Sequence, residues 1–208
     1  MRLQSPFGVV TPTLDGDVLS ALAGADDWFT VRRIQHIVRD RSAEGIRKTL
    51  HRLVREGIID EQQAGRASLY RLNRDHLAAG PIIAIANLRG TFVDRLRSEM
   101  QSWPSPPTFA ALFGSAATGT MTERSDIDLF ILLPNNAEEV DEEQWPALLD
   151  DLVKRASRWT GSDVRPLTFT IGEAEGAAVE EPVLQFIADD GMPIVGDKSL
   201  FRRIVGAR

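Results

Sequence analysis

Cysteine is absent from the 208 residues, which excludes a disulfide framework and any thiolate zinc site. Histidine occurs only as His36, His51 and His76, in no spacing that makes a ligand set. No run approaches the roughly 18 uncharged apolar residues of a membrane-spanning helix. The first residues, Met1 to Gly8, lack the long apolar core of a secretory signal. A cytoplasmic protein without a membrane partner is therefore expected. Internal repeats and low-complexity blocks are lacking too. An apolar fraction of 43% excludes wholesale disorder, and the length allows one large domain or two small ones.

What the chain does have is an uneven charge. The net charge is −6, yet between Thr30 and Arg74 eleven basic residues face five acidic ones. A basic segment joined to an acidic remainder suggests a nucleic-acid-binding module attached to another domain.

Residues 1–13, with Pro6, Gly8 and Pro12, read as an irregular arm. Asp15 is expected to cap a helix reaching Ala23, with Val18, Leu19 and Leu22 on its apolar face. Thr30 caps a second, carrying Val31, Ile34, Ile37 and Val38 at helical spacing. Ser42 caps a third, whose Ile46, Leu50, Leu53 and Val54 form one stripe, and Gly57 ends it. Two short strands, 58–63 and 68–72, follow around Ala64-Gly65-Arg66-Ala67. Three helices and a hairpin, with Leu53-Val54-Arg55-Glu56-Gly57-Ile58-Ile59 leading from one to the other, resemble the winged helix-turn-helix of bacterial transcription regulators. The resemblance implies double-stranded DNA as partner, with the helix at 42–56 in the major groove. Arg47, Lys48 and His51 then reach base edges, Arg52 and Arg55 meet phosphate, and Arg66 enters the minor groove. A solvated helix face is the alternative reading of the same residues.

Pro81 suits the first turn of a long helix over roughly 82–101. Its apolar residues, Ile82 to Met100, are too many for one narrow stripe. A homodimer through this helix is expected, because winged-helix regulators commonly read two half-sites. Trp103-Pro104-Ser105-Pro106-Pro107 breaks the helix. The expected division is residues 1–80 for the DNA-binding domain, 81–103 for the linking helix and 104–208 for the second domain.

In that second domain an apolar run ends at Gly114-Ser115, and another opens with Ser125-Asp126-Ile127-Asp128. Positions i and i+2 of a strand share a face, so the two carboxylates stand side by side. Such a pair repels unless a divalent cation neutralises it, and hard oxygen ligands suit magnesium or manganese. The alternatives are one protonated carboxylate, or two solvated ones at the start of the strand. Apolar strand, Gly-Ser, about ten residues and Asp-x-Asp in a second apolar strand resemble the nucleotidyltransferase superfamily typified by DNA polymerase β, particularly its minimal bacterial members. The likeness covers roughly residues 108–196. It implies an α+β architecture with a small mixed sheet, and magnesium-bound triphosphate on Asp126 and Asp128 as catalytic ligands. It also implies nucleotide contacts from Gly114, Ser115, Thr118 and Ser125. An acidic loop from Pro134 to Glu143, helices near 143–159, 173–178 and 181–189, a strand over 164–171, a closing strand near 191–196 and a basic terminal helix complete this domain.

Two positions depart from the family pattern. Thr118-Gly119 stands where Arg-Gly is common, and the expected third carboxylate falls on Leu167. Asp163 and Arg165 share the parity of Leu167, and an arginine reaching the site would repel magnesium. Two functions follow. One is a DNA-binding transcriptional regulator whose transferase-like domain binds magnesium and a nucleoside triphosphate. The other is an active nucleotidyltransferase, of toxin–antitoxin or resistance type, that transfers a nucleoside monophosphate to a hydroxyl acceptor.

Overall fold

The computed structural model describes residues 1–135, 144–177 and 180–206. Two compact units result, Ser5–Arg89 and Gly90–Arg208 with Met1–Gln4. No helix among the described residues is long and apolar enough to cross a membrane.

The first unit contains α1 (Leu14–Ala23), β1 (Phe29–Thr30), α2 (Val31–Val38), α3 (Ala43–Arg55), β2 (Ile59–Ala64), β3 (Ala67–Leu72) and α4 (Ala79–Ala86). Local chemistry explains the starts. The Thr30 hydroxyl accepts from the backbone N–H of Arg33 at 3.1 Å, and that of Ser42 from Gly45 at 3.0 Å. Gly57 follows α3 at φ +73°, the left-handed turn that glycine adopts without a Cβ clash. α2 has only eight residues, too few to persist alone in water. Its Ile34 is fully buried with Leu22, Ile46, Leu50 and Leu53, each contributing about 1.5–3 kcal/mol through burial. The sheet runs β1-β3-β2, antiparallel throughout. β1 is not evident in the sequence, since two residues carry no alternation.

Three expectations change. Asp15 is not the cap of α1: Thr13 occupies that place, without a side-chain bond to the helix backbone, and Asp15 lies in the first turn. The arm is not wholly irregular, because Pro6–Val9 form a 3-10 turn with Phe7 buried, and Leu3 is buried in the other unit's core. The long helix is two helices, α4 and α5 (Leu88–Gln101), parted at Asn87. Ile82, Ile83 and Ile85 of α4 pack into the first unit's core, while Phe92, Val93, Leu96 and Met100 of α5 pack into the second's. An apolar surface too wide for one stripe is thus shared between two cores.

The second unit adds β4 (Phe109–Phe113), α6 (Gly114–Thr118), β5 (Ile127–Leu133), α7 (Gln144–Thr160), β6 (Val164–Thr170), α8 (Ile171–Ala177), α9 (Pro182–Asp190), β7 (Met192–Val195) and α10 (Lys198–Ile204). Its sheet runs β6-β5-β4-β7; β5 and β6 are parallel and the other pairs antiparallel. Mixed pairing and flanking helices make this an α+β unit of small mixed-sheet type. Alternation along the strands feeds two cores. Ala110, Leu112, Ile127, Leu129 and Ile131 join α5 and α7 on one face. Phe109, Phe130, Leu132 and Phe201 pack on the other, with Phe109 and Phe201 stacked at 4.7 Å. Of the acidic loop expected over 134–143, residues 136–143 lie outside the described residues, as does Ala178 at the end of the helix expected over 173–178.

Candidate functional site

Strand β4 ends at Phe113, which pairs with Asp128 of β5. At Gly114 the chain turns into α6 with φ +61°. A Cβ there would lie 2.5 Å from Oδ2 of Asp128, so a side chain at this position would push the carboxylate out of its present place, and the left-handed φ favours glycine as well. Asp126 lies just before β5, two residues from Asp128. Backbone pairing continues beside it, since Ile127 N–H donates to the Asp163 carbonyl at 2.8 Å. Gly114, Ser115, Asp126 and Asp128 are therefore gathered at one end of the central strands.

Arg165 reaches the pair from β6. It is registered opposite Asp128, and its Nη2 lies 2.9 Å from Oδ2 of Asp126. Burial, reinforced by the Asp126 charge, pushes the Asp128 carboxyl above its ordinary range, while Arg165 pulls the other way. Leu167, two residues along β6, is registered opposite Phe130 and packs in the apolar cluster. Among the described residues no three acidic or histidine side chains gather as a metal set, so Asp163 does not complete one with the pair.

Two hard carboxylates two residues apart suit a single divalent cation whose remaining ligands would come from outside the chain. They do not fit a second cation that requires a third carboxylate. Thr118 spends its hydroxyl locally, donating to the Gly114 carbonyl at 3.1 Å with Thr120 Oγ1 at 2.9 Å. Ser125 Oγ accepts from Thr122 N–H at 2.8 Å. That bond closes the turn ahead of Asp126.

In the first unit, α3 and the β2–β3 turn frame a cavity of about 350 Å³ lined by Thr30, Arg32, Arg47, His51, Arg66 and Tyr70. Arg47, His51 and Arg66 are thus brought together. Arg32 joins them, although no sequence pattern marks it; its place just after the Thr30 cap is the one available signal. Arg52 does not join: its guanidinium is bound to Asp15 of α1 at 2.7 Å. Arg47 is loosely paired with Glu44 at 3.6 Å, whereas Lys48, His51, Arg55 and Arg66 form no ion pair among the described residues.

Residues 93–159, which take in β4, α6, β5 and nearly all of α7, match the family described as nucleotidyltransferase domain. A crystal structure of a toxin–antitoxin with AMP-PNP is 20% identical, covers 56% of this chain and 80% of that chain, and superposes with a TM-score of 0.38. No curated protein matches the chain.

Proposed function

We propose that residues 90–208 bind a nucleoside triphosphate with one divalent cation and transfer its nucleoside monophosphate to a hydroxyl acceptor, releasing pyrophosphate. One observation carries the reading: the Asp128 carboxylate fits against the bare Gly114 backbone, with Asp126 beside it, inside the matched segment. Magnesium, or manganese in its place, suits the donor set. Such a cation supplies the positive charge that offsets the triphosphate. Asp126 and Asp128 hold it, Gly114 leaves the phosphates room, and the Ser115 hydroxyl at the start of α6 is a donor for them. Ser125 and Thr118 shape the two turns around the site rather than touching nucleotide.

The test is incubation with each labelled nucleoside triphosphate and magnesium, following pyrophosphate release and label transfer. Asp126→Asn with Asp128→Asn should abolish both cation-dependent binding and transfer. Binding without transfer in the wild type would select the regulator instead, with the domain as a nucleotide sensor. No cation-dependent binding at all would defeat both.

A second reading has its own support in the cationic cavity of the first unit. The order helix, short strand, two helices and hairpin supports a winged-helix reading, on which Arg32, Arg47, His51 and Arg66 would face duplex DNA. A regulator is the role this interface suggests. The homodimer now rests on half-site geometry alone, because α4 and α5 leave no large apolar side chain exposed.

A further inference from the structure

The carboxylate pair already has a cation, and it comes from the chain itself. Arg165 lies across from Asp128 on the neighbouring parallel strand and is bound to Asp126 at 2.9 Å. The next position on that face, where a third acid would assist metal binding, is the apolar Leu167. The site thus exchanges an expected negative charge for a positive one. A guanidinium and a divalent cation cannot share the Asp126 carboxylate without repelling each other. The Arg165 side chain is 70% exposed and that of Asp126 only 28%. The arginine is therefore the mobile partner, and an exposed pair of this kind costs little to break. Once released it carries five donors in a planar fork, the arrangement that matches phosphate oxygens.

We propose that Arg165 is the resident counter-ion of this site: it neutralises Asp126 in the free protein and passes to the triphosphate when a divalent cation takes both carboxylates. The inference rests on the nucleotide-binding reading above. Arg165 then sets the order of binding. A bare cation is resisted, because it must displace the guanidinium without giving it a new partner. A cation arriving with a triphosphate is admitted, because the same guanidinium gains phosphate oxygens.

Replacing Arg165 should therefore move two affinities in opposite directions. Manganese binding without nucleotide, read from the spin-resonance signal of the free ion, should tighten about threefold in Arg165→Gln. Binding of inorganic tripolyphosphate at saturating manganese, read by calorimetry, should weaken about tenfold in the same variant. Arg165→Lys keeps the charge and should retain the weak manganese affinity of the wild type. Equal manganese affinity in wild type and Arg165→Gln would overturn the counter-ion role, and unchanged tripolyphosphate affinity would overturn the transfer to phosphate. A gain in Arg165→Lys equal to that in Arg165→Gln would overturn the charge argument. Manganese binding absent from wild type and Arg165→Gln alike would overturn the carboxylate reading itself, and this inference with it.

Discussion

Asp128 carries the clearest conflict between stability and use. Burial and the neighbouring Asp126 raise its pKa, so the folded state holds this proton more tightly than the unfolded chain does. Stability contributed by the protonated form is present at low pH and is lost as pH climbs from the ordinary aspartate range through the raised folded value. At neutral pH the ionised carboxylate is a net cost that a bound cation would relieve. Asp128→Asn, which needs no charge, should slightly stabilise the free protein at neutral pH, the gain being kept small because solvent screens a partly exposed carboxylate. It should also flatten the acid side of the stability profile. Thermal melts between mildly acidic and neutral pH check both, and a lower melting temperature at neutral pH would show that burial is not the dominant effect. Gly114 belongs to the same local design: its left-handed turn disfavours any side chain, and a Cβ there would come within 2.5 Å of Asp128 Oδ2 where the carboxylate now sits.

Among elements, α3 and the β2–β3 turn are where a charge count and a structure part ways. The helix carries Arg47, Lys48, His51, Arg52 and Arg55 on its open side. Arg52, however, sits on the margin nearest α1 and is committed to Asp15, while Arg47 and His51 lie on the margin nearest the turn with Arg66. If the cavity is a DNA interface, Arg47→Ala with Lys48→Ala and Arg66→Ala should weaken duplex binding. The slope of log affinity against log salt should fall by about 0.9 for each phosphate that is no longer neutralised. Arg52→Ala should leave that slope unchanged and lower stability slightly, by about 0.5 kcal/mol, the worth of an exposed ion pair. Filter binding across a salt series separates the two margins, and an equal drop in slope from Arg52→Ala would move the interface toward α1.

For the whole molecule, the basic segment of the sequence lies inside one of two units that each own a core. Neither needs an apolar partner surface from α4 or α5, because the large side chains of both helices are at least partly buried within one chain. Sedimentation at micromolar concentration should accordingly give the 23.0 kDa monomer in the absence of DNA. A second copy is expected only on a duplex presenting two half-sites. A stable dimer of the free protein would point to an interface elsewhere on its surface.

The sequence alone determined whatever depends on neighbours a few residues apart. Thr30 and Ser42 cap their helices, Gly57 ends one, and the apolar stripe of α3 is buried where the 3.6-residue period puts it. The strand parity of Asp126 and Asp128, and the Gly-Ser turn facing them, were legible for the same reason, because the two-residue repeat is a local property. Only the tertiary structure decided which distant group each of these meets. Asp15, in the first turn of α1 rather than at its cap, binds an arginine 37 residues away. The long helix breaks at Asn87 because its two halves are claimed by different cores. Parity let Arg165 be named as a threat to a metal site. That it reaches Asp126 at 2.9 Å follows from the parallel pairing of β5 with β6, and strand partners are chosen by packing across the sheet, which no local pattern encodes.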